Sequence, residues 1–390
     1  MRRISVFGAT GSIGCNTLDL LTPGEVEIVA LTGGQQIDRL AEQARKFRAK
    51  VAVTADPACY GALKVALAGS GVEAAAGAEA IAEAADRSTD WAMSAIVGAA
   101  GLVPGFRALR HGGTLALANK ESLVTAGSAL MTTATEHGAT ILPVDSEHSA
   151  VFQALGGESS DTVERVIITA SGGPFRDWPA DRIATATLSE SVAHPNWAMG
   201  QRISIDSASM FNKAMEVIET REFFGFRPDQ IEVIVHPQSI IHAIVGFRDG
   251  GMIAHLGPAD MRHAIGYALN WPRRETLPVA RLDLAKLARL DFQAPDEARF
   301  PALRLAREVM ELGGLAGAVF NAAKEVALDH FIAGSLGFGE MAMVVEDTLA
   351  RLSGEMRRNN AVVTLEEVLG MDHFARKTAE EVVGDRQRLR

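Results

Sequence analysis

Cysteine is almost missing from this chain. Two thiols, Cys15 and Cys59, stand in 390 residues, too few for a disulfide framework, and neither has a CxxC partner for a metal or redox motif. A reducing compartment, the cytoplasm, is the expectation. A surplus of positive charge is also missing: 38 basic against 48 acidic residues give a net charge of −10, which opposes general binding to nucleic acid or to anionic membranes. Any phosphate that binds here must meet a local site. No apolar run is long enough for a bilayer, since the longest candidate, Trp91 to Leu117, is broken by Pro104, Arg107 and Arg110. A soluble protein is expected. The opening Met1-Arg-Arg-Ile-Ser-Val-Phe-Gly8 has basic residues before apolar ones, but glycines at 8, 11 and 14 interrupt a signal-peptide core, so no targeting segment is expected. Internal repeats and low-complexity tracts are absent as well.

What is present is a hydrophobic content of 47% in a chain longer than one core supports, which predicts two or three domains. From Ile4 to Val144, short β-like runs alternate with amphipathic stretches. Strands are expected at Ile4 to Phe7, Val26 to Leu31, Val51 to Thr54, Met93 to Val97, Thr114 to Leu117 and Thr140 to Leu142. Helices are expected at Ser12 to Leu21, Ile37 to Phe47, Pro57 to Ala68, Ala78 to Ala85, Gly105 to Arg110 and Glu121 to His137. That alternation predicts an α/β fold with an N-terminal Rossmann-type, doubly wound parallel sheet over residues 1–149. A central α+β catalytic domain is expected over 150–273, with a strand at Val163 to Thr169, a helix from Ser207 to Phe224, a strand at Ile231 to Val235 and a hairpin of Ile240 to Phe247 with Met252 to Leu256 around Asp249-Gly-Gly251. A linker over 274–300 then precedes a C-terminal α-helical domain over 301–390, its helices starting near Pro301, Ala316, Gly339 and Thr364.

Chemistry-bearing residues gather where the predicted strands end. The first strand runs into Gly8-Ala-Thr10-Gly11-Ser12-Ile13-Gly14 and then a helix, a GxxGxxG variant of the dinucleotide fingerprint. Small residues let the backbone turn and approach a pyrophosphate, whose charge meets the free N–H groups of the helix start. After the second strand, Gly33-Gly34-Gln35-Gln36 stands where an NAD enzyme carries an acid for the ribose diol; with Arg39 nearby, this favours NADP. Asn119-Lys120-Glu121 follows another strand and opens a helix, so Lys120 is a candidate proton donor or electrostatic clamp, or else a solvated lysine. Asp145 and Glu147 follow the run Ala139 to Val144. If that run extends as a strand, both point to one face and suit a hard divalent cation. The alternative is a polar turn in which Asp145 or Ser146 caps the next helix. In the second domain, Ser171-Gly-Gly173, Ser207 and Asn212-Lys213 offer the hydroxyl, amide, ammonium and backbone donors that a phosphate dianion needs, with Glu216 one turn on; an ordinary amphipathic helix is the competing reading. The stretch His194-Pro-Asn-Trp197-Ala-Met199-Gly200 is either a lid that excludes water or a structural loop packed by its tryptophan.

Taken together, Gly8 to Gly14, Leu117-Ala-Asn-Lys-Glu-Ser122, Val144-Asp-Ser-Glu-His-Ser149, Ala170-Ser-Gly-Gly-Pro-Phe175, His194 to Gly200, Met210-Phe-Asn-Lys213 with Glu216, and His236-Pro-Gln-Ser239 resemble the 1-deoxy-D-xylulose-5-phosphate reductoisomerase family over essentially the whole chain. The resemblance implies a homodimeric, NADPH- and divalent-metal-dependent enzyme of the non-mevalonate isoprenoid pathway. By similarity, Asp145, Glu147 and Glu216 hold one Mg²⁺ or Mn²⁺, with Co²⁺ within the same range. Lys120, Glu147 and His194 act in catalysis. Ser146, Ser171, His194, Trp197, Ser207, Asn212 and Lys213 hold the sugar phosphate. The nucleotide is held by Gly8, Thr10, Gly11, Ser12, Ile13, Gly14, Gly34, Gln35, Gln36, Asn119, Glu121 and Gly200, with Met261 beside the nicotinamide. Gln35-Gln36 departs from the Lys-Asn pair of many relatives, which removes one expected contact to the NADP 2′-phosphate. The rival readings are an ordinary NADP-dependent dehydrogenase of a small phosphorylated or amino-acid-derived substrate, and a non-catalytic NADP sensor.

Overall fold

The computed structural model describes residues 1–193, 195, 197, 199–356 and 363–388, and these fall into two compact units. The first comprises Met1–Ser122, Leu130–Ser149 and Asp260–Ala280; the second comprises Leu123–Ala129, Ala150–Ala259 and Arg281–Arg390.

The first unit is built on seven parallel strands, β1 (Arg2–Phe7), β2 (Val26–Gly33), β3 (Val51–Thr54), β4 (Glu73–Ala76), β5 (Trp91–Ser94), β6 (Thr114–Leu117) and β7 (Thr140–Pro143), in the order β4-β3-β2-β1-β5-β6-β7. Between them run α1 (Ser12–Asp19), α2 (Ile37–Phe47), α3 (Tyr60–Ala66), α4 (Ala78–Ala85), α5 (Leu102–Leu109) and α6 (Lys120–Glu136), and α7 (Ser146–Leu155) follows the last strand. Helices on both faces require strands that are apolar on both sides. Accordingly β3, β5 and the inner residues of β1 and β2 are buried without alternation, with Ile4, Leu31, Trp91 and Met93 at 1% exposure or less. The order reverses between β1 and β5, the switch point at which such sheets bind ligands beyond their carboxyl ends. Two expectations need correction. An edge strand, β4, was missed because Glu73-Ala-Ala-Ala76 has no β-branched residue; it forms by pairing with β3 along Val51 to Thr54. β5 starts at Trp91 rather than Met93, since the Trp91 side chain is a core residue whose Nε1 donates to the Ala268 carbonyl at 3.1 Å.

The second unit contains a mixed sheet of β8 (Val163–Ala170), β9 (Ile231–Val235), β10 (Ile241–Phe247) and β11 (Met252–Leu256), ordered β11-β10-β8-β9. Only the β8–β9 pair is parallel. Between β8 and β9 lie α8 (Ala180–Ala184), α9 (Leu188–Ser191), α10 (Gln201–Ala208) and α11 (Phe211–Phe224). The single helix expected from Ser207 to Phe224 is thus two, broken where Met210 adopts a left-handed conformation at φ 63°. After β11 come α12 (Met261–Asn270), which belongs to the first unit, and α13 (Leu284–Leu287). The four expected C-terminal helices are α14 (Ala302–Leu312), α15 (Ala316–Ile332), α16 (Glu340–Arg351) and α17 (Leu365–Arg388). α15 is buried almost all round, from Ala316 to Phe331, and its Gly317 meets the middle of α6 so closely that an added Cβ would lie 1.8 Å from the Val124 carbonyl oxygen. Among the described residues no helix is long and apolar enough to cross a membrane.

Gly317→Ala is therefore expected to force the two backbones apart and lower stability by roughly 3 kcal/mol. Gly370→Ala in α17, where an added Cβ meets nothing within 4 Å, should raise stability slightly through helix propensity. Equal denaturant midpoints for the two variants would show that the α6–α15 contact is not tight.

Candidate functional site

In the first unit the glycine turn is a backbone cradle. Gly8 sits at φ 93°, and a Cβ there would lie 2.5 Å from the Ala95 carbonyl oxygen; a Cβ on Gly14 would lie 2.3 Å from that of Gly8. The turn is held by Gly8 N–H donating to Thr32 Oγ1 at 3.0 Å and Gly11 N–H donating to the Gly8 carbonyl at 3.1 Å. No side chain caps α1, whose N-cap is Gly11, so the first-turn N–H groups near Ser12 and Ile13 are available to an anion. Thr10 is buried inside the turn. These residues fit a dinucleotide pyrophosphate, because bare backbone is what approaches it. Gly34, Gln35 and Gln36 follow β2 and are exposed. Met261 opens α12, in the same unit as the sheet.

Asn119 caps α6. Its Oδ1 accepts from Ser122 N–H at 3.0 Å, and its Nδ2 lies 2.6 Å from the Ile96 carbonyl, 3.0 Å from that of Gly98 and 2.9 Å from Glu121 Oε2. That cross-link between the exits of β5 and β6 fixes the start of α6, and with it Lys120. Lys120 Nζ donates to Asp145 Oδ2 at 2.8 Å, with only 11% and 12% of the two side chains exposed. Burial opposes the charge on Asp145, but the Lys120 ammonium and a contact from His148 Nδ1 at 3.2 Å hold its carboxyl well below the usual range. The strand argument for Asp145 and Glu147 is corrected here. β7 ends at Pro143, and Glu147 lies in the first turn of α7, where its N–H donates to Asp145 Oδ1 at 3.2 Å. Asp145 therefore caps a helix and still presents carboxylate oxygen beside Glu147, which also accepts from Ser146 Oγ. Of the two readings, the helix cap is the one the fold shows, and the two carboxylates lie side by side all the same. Hard oxygen donors within one helical turn fit a divalent cation of the Mg²⁺ or Mn²⁺ type.

In the second unit, Gly172 and Gly173 adopt φ of 83° and 66° after β8, and Gly173 N–H donates to Ser171 Oγ at 3.1 Å. A Cβ on Gly173 would lie 2.9 Å from the Ser207 carbonyl oxygen, so only glycine lets the Ser171 loop meet the end of α10. The left-handed Met210 then turns the chain, placing Asn212 and Lys213 in the first turn of α11. Asn212 Nδ2 donates to Glu216 Oε1 at 2.6 Å, and Lys213 Nζ pairs with Glu216 Oε2, with Lys213 and Glu216 at 4% and 1% exposure. Lys213 and Glu216, given separate ligands on the sequence, thus form one buried ion pair. A second buried pair, Lys324 with Asp206 at 3.0 Å, fastens α10 to α15 next to Ser207. Trp197 and Met199 are half-buried, the Trp197 ring centroid lies 6.3 Å from that of His242, and Gly200 caps α10; His194 lies outside the described residues. Sequence reasoning assigned no role to His148, although its place three residues after Asp145 on a helix was a usable signal, nor to buried His242. Nothing local marked His242.

The first unit is that of a nucleotide-dependent, doubly wound α/β oxidoreductase. Comparison with known proteins narrows this class. Residues 4–127 match the family model described as 1-deoxy-D-xylulose 5-phosphate reductoisomerase, and 141–224 and 256–378 match models for C-terminal domains of the same enzyme. The chain is 69% identical over 394 residues to the 1-deoxy-D-xylulose 5-phosphate reductoisomerase of Cereibacter sphaeroides, covering 100% of both. It is also similar to solved structures of the Zymomonas mobilis reductoisomerase in complex with NADPH (46% identity, 98% and 99% of the chains, TM-score 0.90) and of a DOX-P reductoisomerase in complex with NADPH, fosmidomycin and magnesium (38%, 98% of each chain, TM-score 0.92). The chain belongs to the 1-deoxy-D-xylulose 5-phosphate reductoisomerase family.

Lys120→Met, which leaves the Asp145 carboxylate without its ammonium partner, is expected to cost about 3 kcal/mol of stability. Lys120→Arg should recover part of it. A denaturant midpoint unchanged in Lys120→Met would mean that the pair does not stabilise the fold.

Proposed function

We propose that this chain converts 1-deoxy-D-xylulose 5-phosphate to 2-C-methyl-D-erythritol 4-phosphate in an NADPH- and divalent-metal-dependent rearrangement and reduction that serves isoprenoid biosynthesis. The observation that carries this reading is the pair of Asp145 and Lys120, largely shielded from solvent and beside Glu147 at the carboxyl end of the parallel sheet, in a chain related to these reductoisomerases along its full length. A plain dehydrogenase has no use for such a set of carboxylates.

Asp145, Glu147 and Glu216 are the proposed ligands of one Mg²⁺, Mn²⁺ or Co²⁺ ion. A cation so bound supplies Lewis acidity, polarising a ketone and acidifying a neighbouring hydroxyl, while NADPH supplies hydride. Lys120 lies beside the reacting oxygens and stabilises negative charge as it develops there. Ser171, Ser207, Asn212 and Lys213 hold the substrate phosphate by charge-assisted and neutral hydrogen bonds, so binding energy remote from the reacting carbons orients them. Ser146 holds the substrate from the start of α7. His194, Trp197 and Met199 form the closing loop that keeps water out. Gly8 to Gly14, Gly34 to Gln36, Asn119, Glu121, Gly200 and Met261 hold the nucleotide. The division into a nucleotide domain (1–149), a catalytic domain (150–273), a linker (274–300) and a helical domain (301–390) belongs to this proposal, as does a cytoplasmic homodimer. The free thiols of Cys15 and Cys59 accord with a reducing compartment.

NADPH oxidation, followed by absorbance, is expected to require both deoxyxylulose phosphate and a divalent ion. Glu216→Gln, which keeps size and removes charge, should lower turnover by about a hundredfold or more, be partly rescued by high Mn²⁺, and also lower stability because it leaves buried Lys213 without its partner. Full activity in chelator would remove the carboxylates from the mechanism and favour the plain dehydrogenase.

A further inference from the structure

We propose that Asp56, through its hydrogen bond with Gln35, sets how strongly this chain prefers NADPH over NADH, by standing where the 2′ position of the adenosine ribose is read. The inference rests on the nucleotide site proposed above. In doubly wound sheets the ribose is read just beyond the second strand, where an acid selects the diol of NADH and a cation the phosphate of NADPH. β2 carries no acid there. But β2 pairs with β3, Gly33 opposite Thr54, so the residues two beyond each strand, Gln35 and Asp56, come together. Gln35 Nε2 donates to Asp56 Oδ2 at 2.9 Å, and Asp56 Oδ1 accepts the Ala58 N–H at 2.9 Å as the cap of the turn Pro57–Cys59. Thr54 Oγ1 donates to the Gly34 carbonyl at 2.9 Å, tying the two strand exits together. The carboxylate is thus fixed to backbone on one side and to a proposed nucleotide-binding amide on the other.

The charges at this corner oppose each other. Arg39, exposed in the first turn of α2, reaches back so that its Nη1 donates to the Thr10 carbonyl of the glycine turn at 3.3 Å. Its guanidinium is suited to a phosphate. Asp56 acts against it. The hydrogen bond from Gln35 and then the Ala58 N–H hold its carboxyl below the usual range, so it is ionised at neutral pH. An ionised carboxylate repels a 2′-phosphate dianion and accepts a hydrogen bond from a 2′-hydroxyl, so one group weakens NADPH and favours NADH. The acid missing directly at the end of the second strand is supplied in space after the third.

The test is direct titration of the full chain with NADPH and with NADH, followed by nucleotide fluorescence, so that no turnover is needed. Asp56→Asn keeps the size and the acceptor that caps the turn but removes the charge. NADPH should bind about fivefold more tightly at low salt and NADH no more tightly than before, and the gain should shrink as salt rises. Arg39→Ala should weaken NADPH by about tenfold and leave NADH within twofold. If Asp56→Asn shifts both nucleotides by one factor, or changes their ratio by less than about twofold, Asp56 is only a turn cap and the inference falls. Gly11→Asp separates this from the site itself: a Cβ at Gly11 meets nothing closer than the Gly8 oxygen at 3.4 Å, so the variant fits but sets a charge against the pyrophosphate. Loss of both nucleotides in Gly11→Asp, with no ratio change in Asp56→Asn, overturns the inference alone. Undiminished NADPH binding in Gly11→Asp overturns the nucleotide site and the inference with it.

Discussion

The parallel direction of seven strands is the constraint on which the first unit depends. Every strand delivers its carboxyl end to the same edge of the sheet, so Gly8, Gln35, Asp56, Asn119 and Asp145, spread over much of the first unit's sequence, follow strands that finish side by side. Hydrogen-bond register then does the fine placement: Leu117 of β6 lies opposite Pro143 of β7, which sets Lys120 within reach of Asp145. A buried carboxylate is tolerated only with a partner, and a buried ammonium likewise. Each makes the other possible, and Asn119, by pinning the start of α6 to the exit of β5, keeps the pair aligned.

The second unit reaches comparable order by different means. Its candidate residues lie at one strand exit and one chain break: two glycines after β8, a left-handed Met210 between α10 and α11, and a close approach that only Gly173 permits. Such local conformations cost free energy and persist because the surroundings fix them. Here α10 is tied to the buried α15 by Lys324 and Asp206, and α11 carries the pair of Lys213 and Glu216 at its own start. Side chains on helices locked from behind need little further ordering to meet a ligand.

Charge placement also explains how a chain with net −10 can be read as an anion-binding enzyme. The cations at these positions are held locally: Lys120 pairs with Asp145, Lys213 pairs with Glu216, and Arg39 donates to the Thr10 carbonyl of the glycine turn. Paired charges keep a site organised and tune its appetite for anions. The global charge governs only long-range encounter.

Much of this was legible in the sequence. Alternating apolar runs and amphipathic stretches gave the doubly wound sheet, since strand and helix periods leave distinct marks over long segments, and the hairpin around Asp249-Gly-Gly251 and the four C-terminal helices followed from turn and periodicity signals. The motifs from Gly8 to Gly14 and around Asp145, Ser171 and Lys213 carried the family. Features that depend on neighbours distant in sequence were not legible. β4 exists only because β3 offers it an edge, and the helix read as continuous from Ser207 breaks at a methionine whose backbone the fold imposes. Glu147 shares a site with Asp145 through a helical turn rather than a strand face. That Asp56 faces Gln35 is decided by strand pairing, and the composition of either segment is silent on it. Local pattern determines which elements form, because it acts through each segment's own periodicity and propensity. Tertiary structure alone decides which charges meet, because register and chain reversal bring together groups that no local pattern relates.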